Sequence, residues 1–250
     1  MSELFTHQTV KSVAFEIKFS NIFFIENKIG DFQFKIMREF PESEEVIQRQ
    51  FIISQSENYK KPEDIEPDAP TRKIWKFISP KGYNLNLSTN SLSITSSVHK
   101  TYNNPKGEFK FRDIIVLALD SFLEILPNSI EIKRIGLRYI DECPLPKTLN
   151  NENYKRLYNT IFDLGRFKIE NTPSQQYIVQ HKLENGIVIR YMEFKNEEFV
   201  KLDFDASATN VELSDYLSTT DNLYQAVHQE WEKTITEDFK QYMRTGELPC

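Results

Sequence analysis

A broad apolar stripe in residues 109–126 limits the folds that this chain can adopt. Its apolar side chains recur at intervals of three and four residues: Phe111, Ile114, Ile115, Ala118, Leu119, Phe122 and Leu126. On an α-helix these positions share one side, and a stripe of this width has to be buried against another layer. Pro127 follows and ends the helix. The segment therefore predicts a core helix that needs a second layer to cover it.

A second long stripe near the C-terminus predicts a long helix over about 213–244, with a break at Thr219-Thr220-Asp221. Its apolar positions are Leu223, Val227, Trp231, Ile235, Phe239 and Tyr242. Asp221 is a candidate cap for the main section of this helix. Shorter helices are predicted over 28–39 and 151–162 from the same type of spacing.

Segments in which apolar and polar residues alternate supply the second layer. Alternation predicts strands over 12–20, 50–56, 73–79, 82–88, 91–98, 130–142, 175–183, 187–195 and 199–206. The acidic residues 42–48 and the proline-containing residues 57–72 are predicted loops. Asn185-Gly186 predicts a hairpin with a type I′ turn. Gly136 predicts a β-bulge or a close backbone contact.

These elements predict an α+β fold in a single domain over 1–250. Each half of the chain ends in antiparallel strands that a long helix follows. We therefore expect two similar lobes of antiparallel sheet, each packed against a long amphipathic helix, over 1–146 and 147–250. The halves share no evident sequence identity, so an internal duplication is a hypothesis.

The composition argues against several classes of function. Among 250 residues there are only 7 Gly, and neither GxGxxG nor GxxxxGK[ST] occurs, which disfavours dinucleotide-binding enzymes and Walker-type NTPases. A net charge of −6 disfavours a dedicated nucleic-acid binder. The chain has 2 Cys, no signal-peptide pattern and no apolar run of membrane length. We expect a cytoplasmic protein without membrane contact.

Three segments resemble a known group of proteins: RIGLRYID at 134–141, Glu-Phe-Pro at 39–41 and AVHQEWEKTITEDFKQYM at 226–243. The chain is similar to an uncharacterised prokaryotic family of about this length, distributed sporadically among bacteria and archaea. Its members share a strand with Gly-Leu-Arg-Tyr-Ile followed by Asp or Asn. The resemblance implies no activity. The patchy distribution implies a place among phage-defence or mobile-element genes.

Four residues are the leading candidates for contact with a ligand or partner: Arg138, Tyr139, Asp203 and Asp205. An arginine late in a strand can hold a carboxylate or phosphate. Two carboxylates on one strand face can serve metal binding or acid–base chemistry. The structural alternative, which we favour, is that Arg138 pairs with Asp203 or Asp205 on a neighbouring strand.

Two further patterns predict other functions. Glu131-Ile132-Lys133 is a Glu-x-Lys triplet, as in many metal-dependent nucleases, with Asp120 as a candidate third group. Lys100, Lys106, Lys110 and Arg112 form the one small basic cluster that could bind nucleic acid. His7, His99, His181 and His228 lack ligand spacing, so we expect no metal and no cofactor.

The leading hypothesis is a non-enzymatic binding or interaction protein with a protein partner of unknown identity, which would contact the sheet surface or the groove between the lobes. The alternatives are a metal-dependent nuclease or other phosphate-handling enzyme, and a nucleic-acid binder. An enzyme requires polar groups that converge in one pocket, and a binding module does not.

Overall fold

Nine strands form one antiparallel sheet in a computed structural model that describes residues 5–49, 71–103, 110–126 and 130–248. The strands are β1 (Val10–Phe19), β2 (Glu42–Arg49), β3 (Thr71–Ser79), β4 (Tyr83–Ser88), β5 (Ser91–Ser96), β6 (Ile132–Pro144), β7 (Gln175–Lys182), β8 (Val188–Lys195) and β9 (Phe199–Val211). Their order across the sheet is β2-β3-β4-β5-β1-β6-β9-β8-β7. The predicted α+β class with antiparallel strands is confirmed.

The helices are α1 (Ile29–Ile36), α2 (Phe111–Glu124), α3 (Asn151–Leu157), α4 (Tyr216–Thr234) and α5 (Glu237–Thr245). The two long ones cover the same face of the sheet. Phe122 of α2 packs on Phe19 of β1 at 5.2 Å between ring centroids. Tyr224 of α4 lies 6.2 Å from Tyr139, which shares the face of Phe19 because β1 and β6 are paired in register. On the opposite face of the central strands, which we call the open face, the side chain of Arg138 is partly exposed.

Strands from both halves of the chain belong to this one sheet. β6 lies next to the central strand β1, with which it pairs, and it pairs with β9 on its other side. The sheet is therefore continuous across the predicted boundary, and the division into two lobes stays a prediction.

The predicted helix over 213–244 is interrupted, and its correct form is α4 followed by α5. Ile235 has extended backbone with ψ of 152°, and it makes a β-bridge to Tyr158. Thr236 then caps α5 by accepting a hydrogen bond from the Phe239 amide. A Thr side chain competes with helical hydrogen bonding and favours this position, although the apolar spacing continues through the break.

The predicted loop at 42–48 is wrong, because these residues form most of the edge strand β2. Glu44 and Glu45 pair with Lys76 and Lys73 of β3 at 2.7 and 3.4 Å. Charged side chains are common on edge strands, where they discourage pairing with other chains. The predicted strand 50–56 and almost all of the predicted loop 57–72 lie outside the described residues.

The hairpin between β7 and β8 is present, but its turn is not of type I′. Of the two turn residues, only Gly186 has positive φ, at +83°. The Gly186 amide donates to the Leu183 carbonyl, and Leu183 in turn donates to Ile187. This is the geometry of a three-residue loop with a left-handed glycine at its end, which suits the twist of the strands equally well.

One carboxylate is fully buried beneath the β8 end of the sheet. Glu193 accepts hydrogen bonds from Tyr154, Thr160 and the Ile161 amide at 3.0, 2.7 and 3.1 Å, and from Tyr191 at 3.3 Å. Burial raises the pKa of Glu193, and these hydrogen bonds oppose the rise. The residue therefore ties α3 and the segment after it to the sheet.

Candidate functional site

Arg138 and Asp203 form an ion pair on the open face of the sheet. The Arg138 Nε and Nη2 atoms donate to the two Asp203 carboxylate oxygens at 2.7 and 2.6 Å. The Asp203 side chain is fully buried, and Arg190 adds a second cation at 3.7 Å. The pairing arises because Asp203 and Asp205 follow each other on one face of β9, beside β6. Both acceptor atoms of Asp203 are occupied.

Asp205 belongs to a neighbouring pair. Arg134 lies between Glu16 of β1 and Asp205 of β9, at 3.1 and 3.3 Å. A Cβ atom on Gly136 would lie 2.7 Å from the Arg134 Nη1 atom, so glycine provides the space for this guanidinium. Of the two predictions for Gly136, the bulge is wrong, because β1 and β6 pair without a shift from Ser12 to Lys18, and the close approach to its backbone is that of the Arg134 guanidinium.

Tyr139 points to the other face of the sheet. Adjacent residues of a strand face opposite sides, which separates Tyr139 from Arg138. Tyr139 instead lines a cleft of about 180 Å³ under the helical layer. The four leading candidate residues therefore do not form one site: three belong to the ion pairs of the open face and one to the cleft.

The cleft lies between the sheet, α4, α5 and the segment that precedes β1. Its floor comes from strand residues, namely Val10, Tyr139, Asp141 and Phe204. The preceding segment is held to α5 by a hydrogen bond from the His7 amide to the Met243 carbonyl at 2.8 Å. This contact places Phe5 and Gln8 at the cleft. Both halves of the chain contribute to its walls.

Two buried polar atoms of residues that line the cleft lack a hydrogen-bond partner among the described residues: the Tyr139 hydroxyl and the Gln8 Oε1 atom. Burial raises the pKa of Tyr139 well above its ordinary value of 10, so the hydroxyl stays protonated. An unpaired buried polar group costs about 1–3 kcal/mol. Both atoms are themselves closed to solvent, and both belong to residues that line the same cleft.

Asp141 lies beside them and is almost fully buried. Burial raises its pKa from 3.8 to about 6, although a hydrogen bond from Thr9 at 2.6 Å and the charge of Lys100 oppose the rise. Tyr139 and Asp141 are two residues apart on β6, and this spacing puts both on the face of the cleft.

Aromatic rings on α4 form one wall. Tyr224, His228 and Trp231 follow one another along the helix, with ring centroids 6.0 and 5.9 Å apart and nearly parallel planes. Phe5 packs against Trp231 at 6.0 Å from the other side. The wall is well suited to contact the face or edge of another aromatic ring.

The charged residues at the cleft pair with one another. Lys240 contacts Glu232, and Arg244 contacts Glu237 at 2.6 Å. His228 lies 3.9 Å from Glu232. These pairs, one of them between α4 and α5, offset the charges of the described residues on this side of the cleft.

The structure does not bring together the residues predicted for the metal-dependent nuclease. Glu131 and Lys133 are exposed; Glu131 accepts a hydrogen bond from Ser20 at 3.2 Å. Asp120 lies on α2 and accepts one from Tyr216 of α4. In the part of the chain that the structure describes, no group of three or more His, Cys, Asp or Glu side chains could hold a metal ion.

Two members of the basic cluster are engaged within the fold. The Lys100 ammonium donates to the Val10 and Ser97 carbonyls, and Arg112 makes a two-point pair with Asp221 at 2.9 and 3.0 Å. Lys110 directly precedes α2, and Lys106 lies outside the described residues.

No protein-family model matches this chain, and no curated protein matches it. The resemblance to the sporadically distributed prokaryotic family therefore stays a prediction. None of the helices in the described ranges is long and apolar enough to cross a membrane.

We expect Asp141→Asn to make the protein more stable at neutral pH and to flatten its stability profile. The folded pKa of Asp141 is about 6, against an ordinary value of 3.8, so between these values the folded state holds a proton that the unfolded state has lost. Stability therefore falls as pH rises through this window, by about 3 kcal/mol at most. Asparagine stays neutral and still accepts from Thr9.

The measurement is urea unfolding from pH 4 to pH 8 for both proteins, with Asp113→Asn, an exposed aspartate of α2, as the matched control. The control should follow the wild-type profile. Parallel profiles for wild type and Asp141→Asn would show that Asp141 is ionised in the fold across the whole range.

Proposed function

We propose that this chain is a non-enzymatic binding protein, and that a protein partner inserts one ring-sized side chain into the cleft. The observation that carries the proposal is a pair of polar atoms without a hydrogen-bond partner among the described residues, the Tyr139 hydroxyl and the side-chain Oε1 atom of Gln8. Both residues line an aromatic-walled cleft. An inserted group with a hydrogen-bond donor would satisfy them and bury its apolar body against α4.

The size of the cleft favours a single side chain. Pockets for drug-sized ligands and cofactors enclose about 300–1,000 Å³, whereas an engineered cavity of roughly 150 Å³ holds benzene. At about 180 Å³ the cleft is close to the smaller figure. A ring on a partner protein fits this volume, and a nucleotide does not.

The chemistry favours a donor at the tip of that ring. The Gln8 Oε1 atom and the Asp141 carboxylate only accept hydrogen bonds, and the Tyr139 hydroxyl both accepts and donates. An indole N–H or a phenol O–H meets these requirements. Burial also raises the pKa of the Cys143 thiol well above its ordinary value, and a protonated thiol is a poor nucleophile. This supports a binding role over catalysis.

The proposal extends to the two-lobe organisation of the chain and to its cellular and genomic context. The element order strand, helix, antiparallel strands, long helix occurs twice, over β1 to α2 and over β6 to α4. This order supports two similar lobes, and the cleft then lies in the groove between them. The family resemblance supports a cytoplasmic protein of a prokaryotic defence or mobile-element operon.

The proposal is tested with indole and benzofuran, which have nearly the same shape but differ in the N–H donor. By titration calorimetry we expect indole to bind about tenfold more tightly, because one hydrogen bond contributes about 1 kcal/mol or somewhat more. Tyr139→Phe and Gln8→Met each remove one polar group and should reduce this preference. Tyr177→Phe, on an exposed strand, is the matched control and should leave it unchanged.

Two outcomes contradict the proposal. One is that neither compound binds to the wild-type protein. The other is that the polar atoms contribute nothing to recognition. This would be seen if indole and benzofuran bound equally well, or if the ratio of their affinities were the same in Tyr139→Phe, Gln8→Met and wild type.

A further inference from the structure

The two edges of the nine-stranded sheet differ in how they are protected. β2, at one edge, carries Glu42, Glu44 and Glu45 within its first four residues. Acidic side chains along an edge repel the same edge of a second copy. β7, at the other edge, has no Asp, Glu, Lys or Arg between Gln175 and His181, and its first charged residue is the terminal Lys182. The β7 edge therefore lacks this form of protection.

Two further devices that block edge pairing, a β-bulge and a proline, are absent from β7. All eight residues from Gln175 to Lys182 pair with β8 without a shift in register, so the strand contains no bulge, and it contains no proline. Its outer side has no strand partner among the described residues. Tyr177 and Ile178 are large apolar side chains that are 51% and 47% exposed. A long, regular and uncharged edge is a template for another strand.

Symmetry favours a second copy of this chain as that strand. Two antiparallel β7 strands related by a two-fold axis normal to the sheet form a closed pair, in which each edge uses the same residues. The axis keeps the open faces of both sheets on the same side, so Ile178 of each copy lies on that side and Tyr177 of each copy lies on the other. Pairing of β7 with β2 of another copy would be open-ended and would give fibres instead.

We propose that two copies of this chain associate through their β7 edges, and that the two sheets join into one continuous antiparallel sheet. The contacts are backbone hydrogen bonds between the strands together with the apolar surfaces of Tyr177 and Ile178. The inference is independent of the cleft, because no β7 residue lines the cleft.

The test is sedimentation equilibrium of the full chain over a range of concentrations. We expect wild type to approach twice the 29.5 kDa mass of one chain. Ile178→Lys and Tyr177→Lys, on opposite faces of β7, should each remain at the mass of one chain, because a lysine on each copy places charge along both pairing edges. Ile47→Lys, an exposed residue of the β2 edge, is the matched control and should still dimerise.

A second measurement on unmodified protein covers the case in which a β7 variant does not fold. Hydrogen exchange of the β7 amides should slow as concentration rises, while exchange in β2 should not change. The proposal is overturned by a wild-type protein that stays a single chain, by a dimer that survives Ile178→Lys and Tyr177→Lys, or by association that Ile47→Lys abolishes.

Discussion

Replacing Arg138 with alanine is expected to lower the free energy of unfolding by about 3 kcal/mol. Removing one partner of a buried ion pair costs about 3–5 kcal/mol, because the remaining charge stays buried without compensation. Asp203 is fully buried, and Arg138 supplies both of its short hydrogen bonds. We expect the lower end of the range because Arg138 is itself 42% exposed and Arg190 lies 3.7 Å from Asp203.

The measurement is urea unfolding at pH 7, with Arg156→Ala as the matched control. Arg156 pairs with Asp238 at 3.0 Å, but both side chains are almost half exposed, so its loss should cost less than about 1 kcal/mol. In the double variant Arg138→Met with Asp203→Leu, most of the lost stability should return, because no buried charge remains. A single Arg138→Ala variant as stable as Arg156→Ala would show that the pair is solvated.

Replacing Glu193 with leucine is expected to cost on the order of 4 kcal/mol. The substitution keeps much of the side-chain volume but leaves four donors without an acceptor: the hydroxyls of Tyr154, Thr160 and Tyr191 and the Ile161 amide. Each unsatisfied buried donor costs about 1–3 kcal/mol, and the total is reduced where water reaches the partly buried ones. Loss of these bonds also frees the segment after α3 from the sheet.

Thermal and urea unfolding measure this effect, and hydrogen exchange of the Ile161 amide locates it. Glu198→Ala is the matched control, since Glu198 is an exposed glutamate in the nearby turn between β8 and β9. Its effect should stay within about 0.5 kcal/mol, as for other surface substitutions. If Glu193→Leu unfolds like the control, the hydrogen bonds to Glu193 contribute nothing net to stability.

The type of each element could be predicted where the local pattern was strong. The apolar stripe of 109–126 predicted α2, and alternation predicted the strands that became β1, β3 to β6 and β7 to β9 with ends shifted by a few residues. Edge strand β2 was missed because it faces solvent and has no alternation of apolar residues. The break at Ile235 was missed because the apolar spacing continues through it.

Less of the candidate site than of the fold could be predicted from the sequence. The favoured structural reading of Arg138, an ion pair with an aspartate of the neighbouring strand, agrees with the geometry. The cleft could not be predicted, because Gln8, Tyr139 and Trp231 come from distant parts of the chain. The only local signal was the two-residue spacing of Tyr139 and Asp141, which showed that they share a face but not what that face meets.

The sequence by itself determined which segments are helices or strands and which face of each is apolar, because these properties depend on side chains only a few residues apart. The tertiary structure decided that all nine strands form one sheet, which carboxylate meets which arginine, and where a cleft remains between α4, α5 and the N-terminal segment. Those outcomes depend on strand order and on contacts between residues far apart in the sequence, 65 positions for Arg138 and Asp203, and no local periodicity encodes them.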